Sequence, residues 1–434
     1  VFARQAKENP SSDDSSAWLL VLRKQGLELS VEQQEKLSMT LPEGRHSHVQ
    51  SLSGFKARKQ LNCQFLLSLF VDPEDLDDMA DAVLAARESS PGVTLIIAVQ
   101  GRQLLALGRW LDKRAKAGSL AGIRLMLEND VEAVIENLPS RLQPVLEDNV
   151  IRMPMSTEVE NTNFRNFYIF SPELHQLVAR IRGFALNGVT RAYLLGGPGS
   201  GKTSLAYYYF LARNKGRFIS VNLAAENTGD KAAVKSLLCG HVTGAFPGAG
   251  ARSGAFLLAD DGTCFIDESH GVIGPVMEVL MEALDNNQYL PLGAAAKQPL
   301  RCAIMFATNR SWEHLQESVN LDEFTRIGAA TLEVPELHKR EEDMIAVIAS
   351  SLARLAAPCQ TWTPPIGLSA YAWEQMRGSR WHGNARAVIR VMEAAFVDTA
   401  SAGLDNLIQG DVIQRSMKLW EPESHHSHEM YSAL

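Results

Sequence analysis

The chain has 434 residues, enough to bury more than one core, so two or three domains is the natural division. Its 46% hydrophobic and 21% charged residues are those of a soluble globular protein, and no apolar run approaches the roughly 20 residues that span a bilayer. A formal net charge of -8 argues against nucleic-acid binding by the surface as a whole. The five cysteines (Cys63, Cys239, Cys264, Cys302, Cys359) fall in no paired metal spacing and point to reduced thiols in the cytoplasm.

Residues 1–50 are polar at both ends around a short apolar run, residues 18–22. Residues 65–70 read as a buried strand, and residues 72–87 as a helix opened by Asp72-Pro73. A second strand is expected over 93–99, followed by a helical pattern through Leu111. This alternation predicts a small α/β domain over residues 1–150. A regulatory sensor (a degenerate receiver-like domain included) and a docking or scaffold domain both fit it, and it carries no ligand motif. Residues 151–167 read as a linker.

From Tyr168 the pattern sharpens. A helix over 171–188 precedes a strand at 192–195, and further strands are expected at 218–221, 263–266, 302–307 and 331–334. Helical stretches between them predict a mostly parallel sheet with helices on both faces, over residues 168–336. Residues 337–415 read as a helical lid, and 416–434 as a polar tail. The tail histidines His425, His426 and His428 are a solvated tract more readily than a metal site.

Gly196-Gly197-Pro198-Gly199-Ser200-Gly201-Lys202-Thr203 fits the Walker A pattern, directly after a strand and before an apolar helix, and together with the adjoining Ser204 is expected to bind nucleotide. The glycines let backbone N–H groups wrap phosphates at a helix N-terminus. Lys202 can meet the β- and γ-phosphates of ATP, and the Thr203 hydroxyl can ligate Mg²⁺. An apolar strand ending in Asp267-Glu268 supplies the complementary acids, Asp267 to hold hydrated Mg²⁺ and Glu268 to polarise the attacking water.

Together these segments resemble the AAA+ domain of bacterial sigma-54-dependent transcription activators, the enhancer-binding proteins, over about 168–415. "GAFPGAGARSGAFLLADDGTCFIDE" is similar to the family's segment from partner loop to Walker B. "FISVNLAAE" resembles its switch-asparagine strand, "IMFATNR" its sensor I strand, "ELHKREEDM" its link into the lid and "RWHGNARAV" its sensor II helix. The resemblance implies a P-loop AAA+ three-layer sandwich with a C-terminal helical lid, beside the small N-terminal α/β domain. It implies that Asn222 switches Glu268 between states, that Asn309 lies near the γ-phosphate and that Arg386 is the lid's nucleotide-responsive arginine. Arg326 occupies the position of one arginine finger, which enters a neighbouring subunit's site. The loop Gly244-Ala245-Phe246-Pro247-Gly248-Ala249 would press on sigma-54 above the pore of a hexameric ring.

Three departures stand out. Pro247 replaces the loop's usual threonine, removing a backbone donor and a hydroxyl. Asn320 stands where a second finger arginine is usual. The start of the second pore loop, Ser269-His270-Gly271, lacks its usual apolar residue. No DNA-binding helix-turn-helix is evident after the lid, and Lys56, Arg58 and Lys59 are too few to claim a DNA surface. The expectation is an Mg²⁺-dependent ring ATPase, a homo-oligomer whose protein client is sigma-54 RNA polymerase. A remodeller of a different complex and a nucleotide-responsive scaffold are the rival readings.

Overall fold

The computed structural model describes residues 17–58, 61–154, 164–222, 231–269, 275–310, 330–403 and 405–420, and the structural statements below concern these residues. The N-terminal part contains β1 (Leu19–Arg23), α1 (Val31–Met39), β2 (Ser47–Ser51), α2 (Leu52–Arg58), β3 (Phe65–Leu69), α3 (Leu76–Arg87), β4 (Thr94–Val99), α4 (Leu104–Lys116), β5 (Ile123–Leu127) and α5 (Val131–Asn137). The apolar run near the start of the chain thus forms β1, an inner strand. The five strands lie in the order β2-β1-β3-β4-β5, and every pairing is parallel.

Every residue of β3, β4 and β5 is buried, as parallel strands covered on both faces must be. Alternate side chains divide the core. Leu66, Leu95 and Ile97 face α3 and α4, whereas Phe65, Leu67 and Ile96 face α1 and α5. Helix starts are specified locally, by a capping box at α1 (Ser30 with Gln33) and by Asp130 accepting from Ala133 N at α5.

In this strand order the ligand crevice of an open sheet falls beyond the carboxyl ends of β1 and β3. Here the protein's own side chains occupy it. The Gln103 amide, nearly buried, donates to the carbonyls of Phe70 and Val71 at 3.1 and 3.2 Å, and Lys24 pairs with Asp72 at 2.8 Å.

Next come β6 (Val150–Pro154) and β7 (Phe164–Tyr168), which pair antiparallel across the stretch read as a linker. The central part then follows with α6 (Pro172–Leu186), β8 (Arg191–Leu195), α7 (Lys202–Arg213), β9 (Phe218–Asn222), α8 (Lys231–Cys239), β10 (Gly240–His241), β11 (Arg252–Ser253), α9 (Ala255–Ala259) and β12 (Thr263–Asp267). It ends with α10 (Pro275–Asn286), β13 (Gln288–Tyr289), β14 (Gln298–Pro299), β15 (Ala303–Thr308) and β16 (Thr331–Glu333). A parallel sheet β16-β8-β15-β12-β9 forms its middle layer. One face of that sheet packs with α8, α9 and α10, and the other with α6 and α7. This is the three-layer α/β architecture expected.

The C-terminal part holds α11 (Glu341–Ala356), β17 (Gly367–Leu368), α12 (Ala370–Arg377), α13 (Asn384–Ala402), β18 (Leu407–Ile408) and α14 (Gly410–Trp420). It is helical apart from the short parallel pair β17–β18. Helix α14 continues through Trp420, into the stretch read as polar tail, and its buried Ile413 and Ser416 dock it on the other helices. No helix among the described residues is long and apolar enough to cross a membrane.

The lid also packs on the N-terminal part. A Cβ added at Gly108 of α4 would lie 1.9 Å from the Ala349 carbonyl of α11, so the two helices meet backbone to backbone. Leu104, Leu107 and Leu111 share one core with Ile345, Ile348 and Leu352.

Candidate nucleotide site and protruding loop

The glycine-rich loop runs from the end of β8 into α7. Gly199 and Gly201 have φ of 70° and 106°, a left-handed backbone that glycine adopts without a Cβ clash. Close packing also demands glycine here. A Cβ at Gly201 would lie 2.2 Å from the Phe167 ring, and one at Gly199 2.5 Å from the Gly383 carbonyl. Lys202 is 8% exposed and donates to the carbonyls of Gly196 and Gly197 at 2.8 and 3.1 Å. Burial pulls its pKa below the ordinary lysine value, Asp267 and Glu268 pull it back up, and Arg386 adds to the lowering. Lys202 therefore lies within the field of Asp267, Glu268 and Arg386. Thr203 and Ser204 follow it in the first turn of α7.

Parallel pairing brings the other groups to one edge. Asp267, at the end of β12, pairs in register with Asn222 at the end of β9, and Thr308 of β15 with Leu195 of β8. The Asp267 carboxylate accepts from Glu268 N at 2.9 Å, and Glu268 has φ of 53°. A left-handed non-glycine residue costs energy and recurs at active sites. Asn309 directly follows β15. Its Oδ1 and the Ser200 hydroxyl are buried without hydrogen-bond partners among the described residues. An unpaired buried hydroxyl at Ser200, beside a glycine-rich loop and a desolvated ammonium, fits a phosphate-bearing ligand with Mg²⁺, while Asn309 Oδ1 is an acceptor that a water there could meet. Thr203 and Asp267 are the oxygen-bearing side chains that could hold such a metal ion. Arg326, Asn320 and His270 lie outside the described residues.

The lid reaches this edge through residues that sequence reasoning left unnamed. Asn384 starts α13 with φ of 49° and is 2% exposed; its Oδ1 accepts from Leu337 N at 2.8 Å, and its Nδ2 donates to the Pro198 carbonyl at 3.1 Å. Asn384 lies inside the quoted sensor II segment, and asparagine's tolerance of left-handed backbone was the available signal. Arg386, two residues on, lies with its Cβ 2.9 Å from where a Gly199 Cβ would stand. Arg340 donates to the Ser200 carbonyl at 3.2 Å.

Strands β10 and β11 form the base of the loop at residues 242–251. Ala245 N donates to the Val242 carbonyl at 3.2 Å, and Ala249 N to the Phe246 carbonyl at 2.9 Å. Gly244 and Gly248 have φ of 80° and 81°. Each bond therefore closes a four-residue turn with a left-handed glycine at its third position, the type II pattern. Pro247 occupies the second position of the outer turn, where its fixed φ is favoured. Gly244 N donates to the Ala249 carbonyl at 3.0 Å and ties the two turns together. Phe246 is 46% exposed, with its ring 5.0 Å from that of His241. Val242 and Ala245 rest on Gly293, which follows β13.

Comparison with known proteins agrees with this geometry. Residues 168–333 match the model of the sigma-54 interaction domain. The chain is 28% identical over 333 residues to the regulatory protein LuxO of Vibrio cholerae, covering 74% of this chain and 69% of that protein. It is 27% identical over 377 residues to the transcriptional regulatory protein GlrR of Escherichia coli, covering 84% and 79%. It is 33% identical over 216 residues to the acetoin catabolism regulatory protein of Cupriavidus necator, but that match covers 48% of this chain and spans only 31% of the regulator. Among solved structures, NtrX from Brucella abortus in complex with ATP aligns with 15% identity and a TM-score of 0.49, over 96% of this chain and 91% of that one. The central part of this chain is therefore an AAA+ domain characteristic of sigma-54-dependent transcription activators, of the ATPase type that ATP-hydrolysing regulators carry.

Proposed function

We propose that the protein is an Mg²⁺-dependent ATPase that assembles into a ring, a hexamer, and acts on sigma-54 RNA polymerase through the loop at residues 244–249. The observation that carries this reading is the meeting of Lys202, Asp267, Glu268 and Asn309 at one sheet edge, with the lid's Asn384 and Arg386 against the same glycine-rich loop. In this reading the loop N–H groups and Lys202 bind the phosphates of ATP, Thr203 and Asp267 hold Mg²⁺, and Glu268 takes a proton from the attacking water. Asn222 sits one strand from Asp267, where it can hold Glu268 away from water until Asn309 meets the γ-phosphate. Arg326 supplies positive charge to a neighbour's site, which requires the ring.

The loop favours a second client reading. Pro247 leaves the tip without the hydroxyl of the family's threonine, so a remodeller of a different protein complex would use the exposed Phe246 alone. One series tests both: Mg²⁺-ATP turnover and sigma-54 binding by wild type, Glu268→Gln, Arg326→Ala and Pro247→Thr. Glu268→Gln should bind ATP and lose turnover by at least a hundredfold, about 2.7 kcal/mol. An inactive wild type would sink the motor reading. Sigma-54 binding only by Pro247→Thr would move the search to another client.

A further inference from the structure

At the start of α11 four successive charged residues point two ways. Arg340 and Asp343, each 2% exposed, reach the nucleotide side: Arg340 donates to the Ser200 carbonyl, and Asp343 Oδ1 accepts from Phe170 N and Ser171 N at 2.6 and 3.3 Å. Glu341 and Glu342 reach the N-terminal sheet instead. Glu342, also 2% exposed, accepts from Arg124 Nε of β5 at 2.9 Å and from Leu125 N at 3.1 Å, while Arg141 stands 3.3 Å away. Glu341 pairs with Arg141 at 2.8 Å and with Arg377 at 2.7 Å.

The two sides are unequally satisfied. Both Glu342 oxygens are engaged, by a guanidinium and a backbone N–H. On the nucleotide side the Arg340–Asp343 pair stands at 3.8 Å, and neither Arg340 Nε nor Asp343 Oδ2 has a hydrogen-bond partner among the described residues. The turn is therefore held from the N-terminal domain by a full set of bonds and towards Ser200 by an incomplete one.

We propose that Arg124, outside the matched AAA+ segment, is a positioning residue for the nucleotide site. It acts through Glu342 and the first turn of α11, which sets Arg340 against the glycine-rich loop. The proposal rests on ATP being the ligand of that loop. Coupling between two sites is reciprocal, so nucleotide must also tighten the Arg124 contact.

The test uses the full chain with Mg²⁺ and a fluorescent ATP analogue, in the Glu268→Gln background so that binding is read without turnover. The double variant Arg124→Met/Glu342→Gln removes both charges at similar volume, keeps an acceptor for Leu125 N and leaves no orphaned ion. It should bind the analogue on the order of tenfold more weakly, within the roughly 5–150-fold span of such couplings. Its thermal unfolding without nucleotide should stay near that of the parent. In the parent, ATP should slow amide hydrogen exchange over residues 123–127, and Lys202→Ala should abolish that response. The exchange arm needs no Arg124 variant, so the idea stays testable if the double variant misfolds. Unchanged affinity in a folded double variant, or exchange at 123–127 indifferent to ATP, overturns the positioning role alone. No binding by the parent overturns the ATPase reading and this inference together.

Discussion

His175 offers a quantitative test of how tightly the N-terminal part is joined to the rest. It lies near the start of α6, where burial first, and then the charge of Arg124, press its imidazole towards the neutral form. The nearby Ile169 backbone opposes them, although neither ring nitrogen has a hydrogen-bond partner among the described residues; Arg87 adds to the lowering, and the pKa falls from 6.5 to about 4. Between those values the unfolded chain takes up a proton that the folded chain refuses. The unfolded state then binds more protons, so stability falls as pH falls from 6.5 towards 4. A gap of this size is worth about 3 kcal/mol at roughly 1.4 kcal/mol per unit, of which about 2 kcal/mol is lost by pH 5. Urea unfolding of wild type and His175→Gln at pH 7 and pH 5 measures it. The loss between the two pH values should be smaller in His175→Gln by about 2 kcal/mol. Parallel losses in the two proteins would show that His175 is not held neutral beside Arg124, and the packing described for this junction would be wrong.

Three further outcomes follow from the same structure. Asn384→Ala strips Leu337 N and the Pro198 carbonyl of a buried partner, a cost of about 1–3 kcal/mol; nucleotide titration should show weaker binding, and unchanged affinity would remove Asn384 from the site. Gly248→Ala has open space around it but a φ of 81°, so its cost of about 1–2 kcal/mol is backbone strain, read as faster amide exchange at Ala249. Burial raises the thiols of Cys239 and Cys302 to about 12 and that of Cys264 well above its ordinary value. Maleimide at pH 8 should leave all three unlabelled until the chain unfolds, and rapid labelling of any would contradict its burial.

The P-loop sheet was legible because its signals are local. Buried parallel strands appear as continuous apolar runs such as residues 302–307, and the turn after β8 can only be built with glycines. β1 was harder to read, since its five residues are too short to tell an inner strand from an isolated apolar run. Neither the pairing of β6 with β7 nor the packing of α4 on α11 has a local signature. The second depends on Gly108 meeting Ala349, residues 241 positions apart. The same holds for the site. Lys202, Asp267 and Glu268 announce themselves by motif, whereas Arg340, Asp343 and Asn384 look like ordinary charged or helix-start residues. Only the fold shows that Arg340 and Asn384 bond to the glycine-rich loop, and Asp343 to the backbone between β7 and α6.

The replacement of threonine by Pro247 looks, from composition alone, like damage to a working loop. The turn geometry argues otherwise. A type II turn takes proline at its second position and glycine at its third, and residues 246–249 supply both with the closing bond in place. Relative to threonine, proline narrows the unfolded loop's freedom by about 0.4–1 kcal/mol at a compatible site. The inner turn, Val242 to Ala245, is seated on Gly293, and Ser236 holds the His241 ring at 2.7 Å beneath Phe246. The loop is thus stiffened from its base to its tip, and what it lacks is the tip hydroxyl. A stiff loop carries a displacement outward without absorbing it, but its tip offers a client an aromatic face and no side-chain hydrogen bond. Pro247→Thr should therefore speed proteolysis within residues 243–249 while gaining whatever partner contact depends on a hydroxyl. If the variant instead resists proteolysis better than wild type, the proline is not what holds the turn, and the loop's stiffness must come from the contacts at its base.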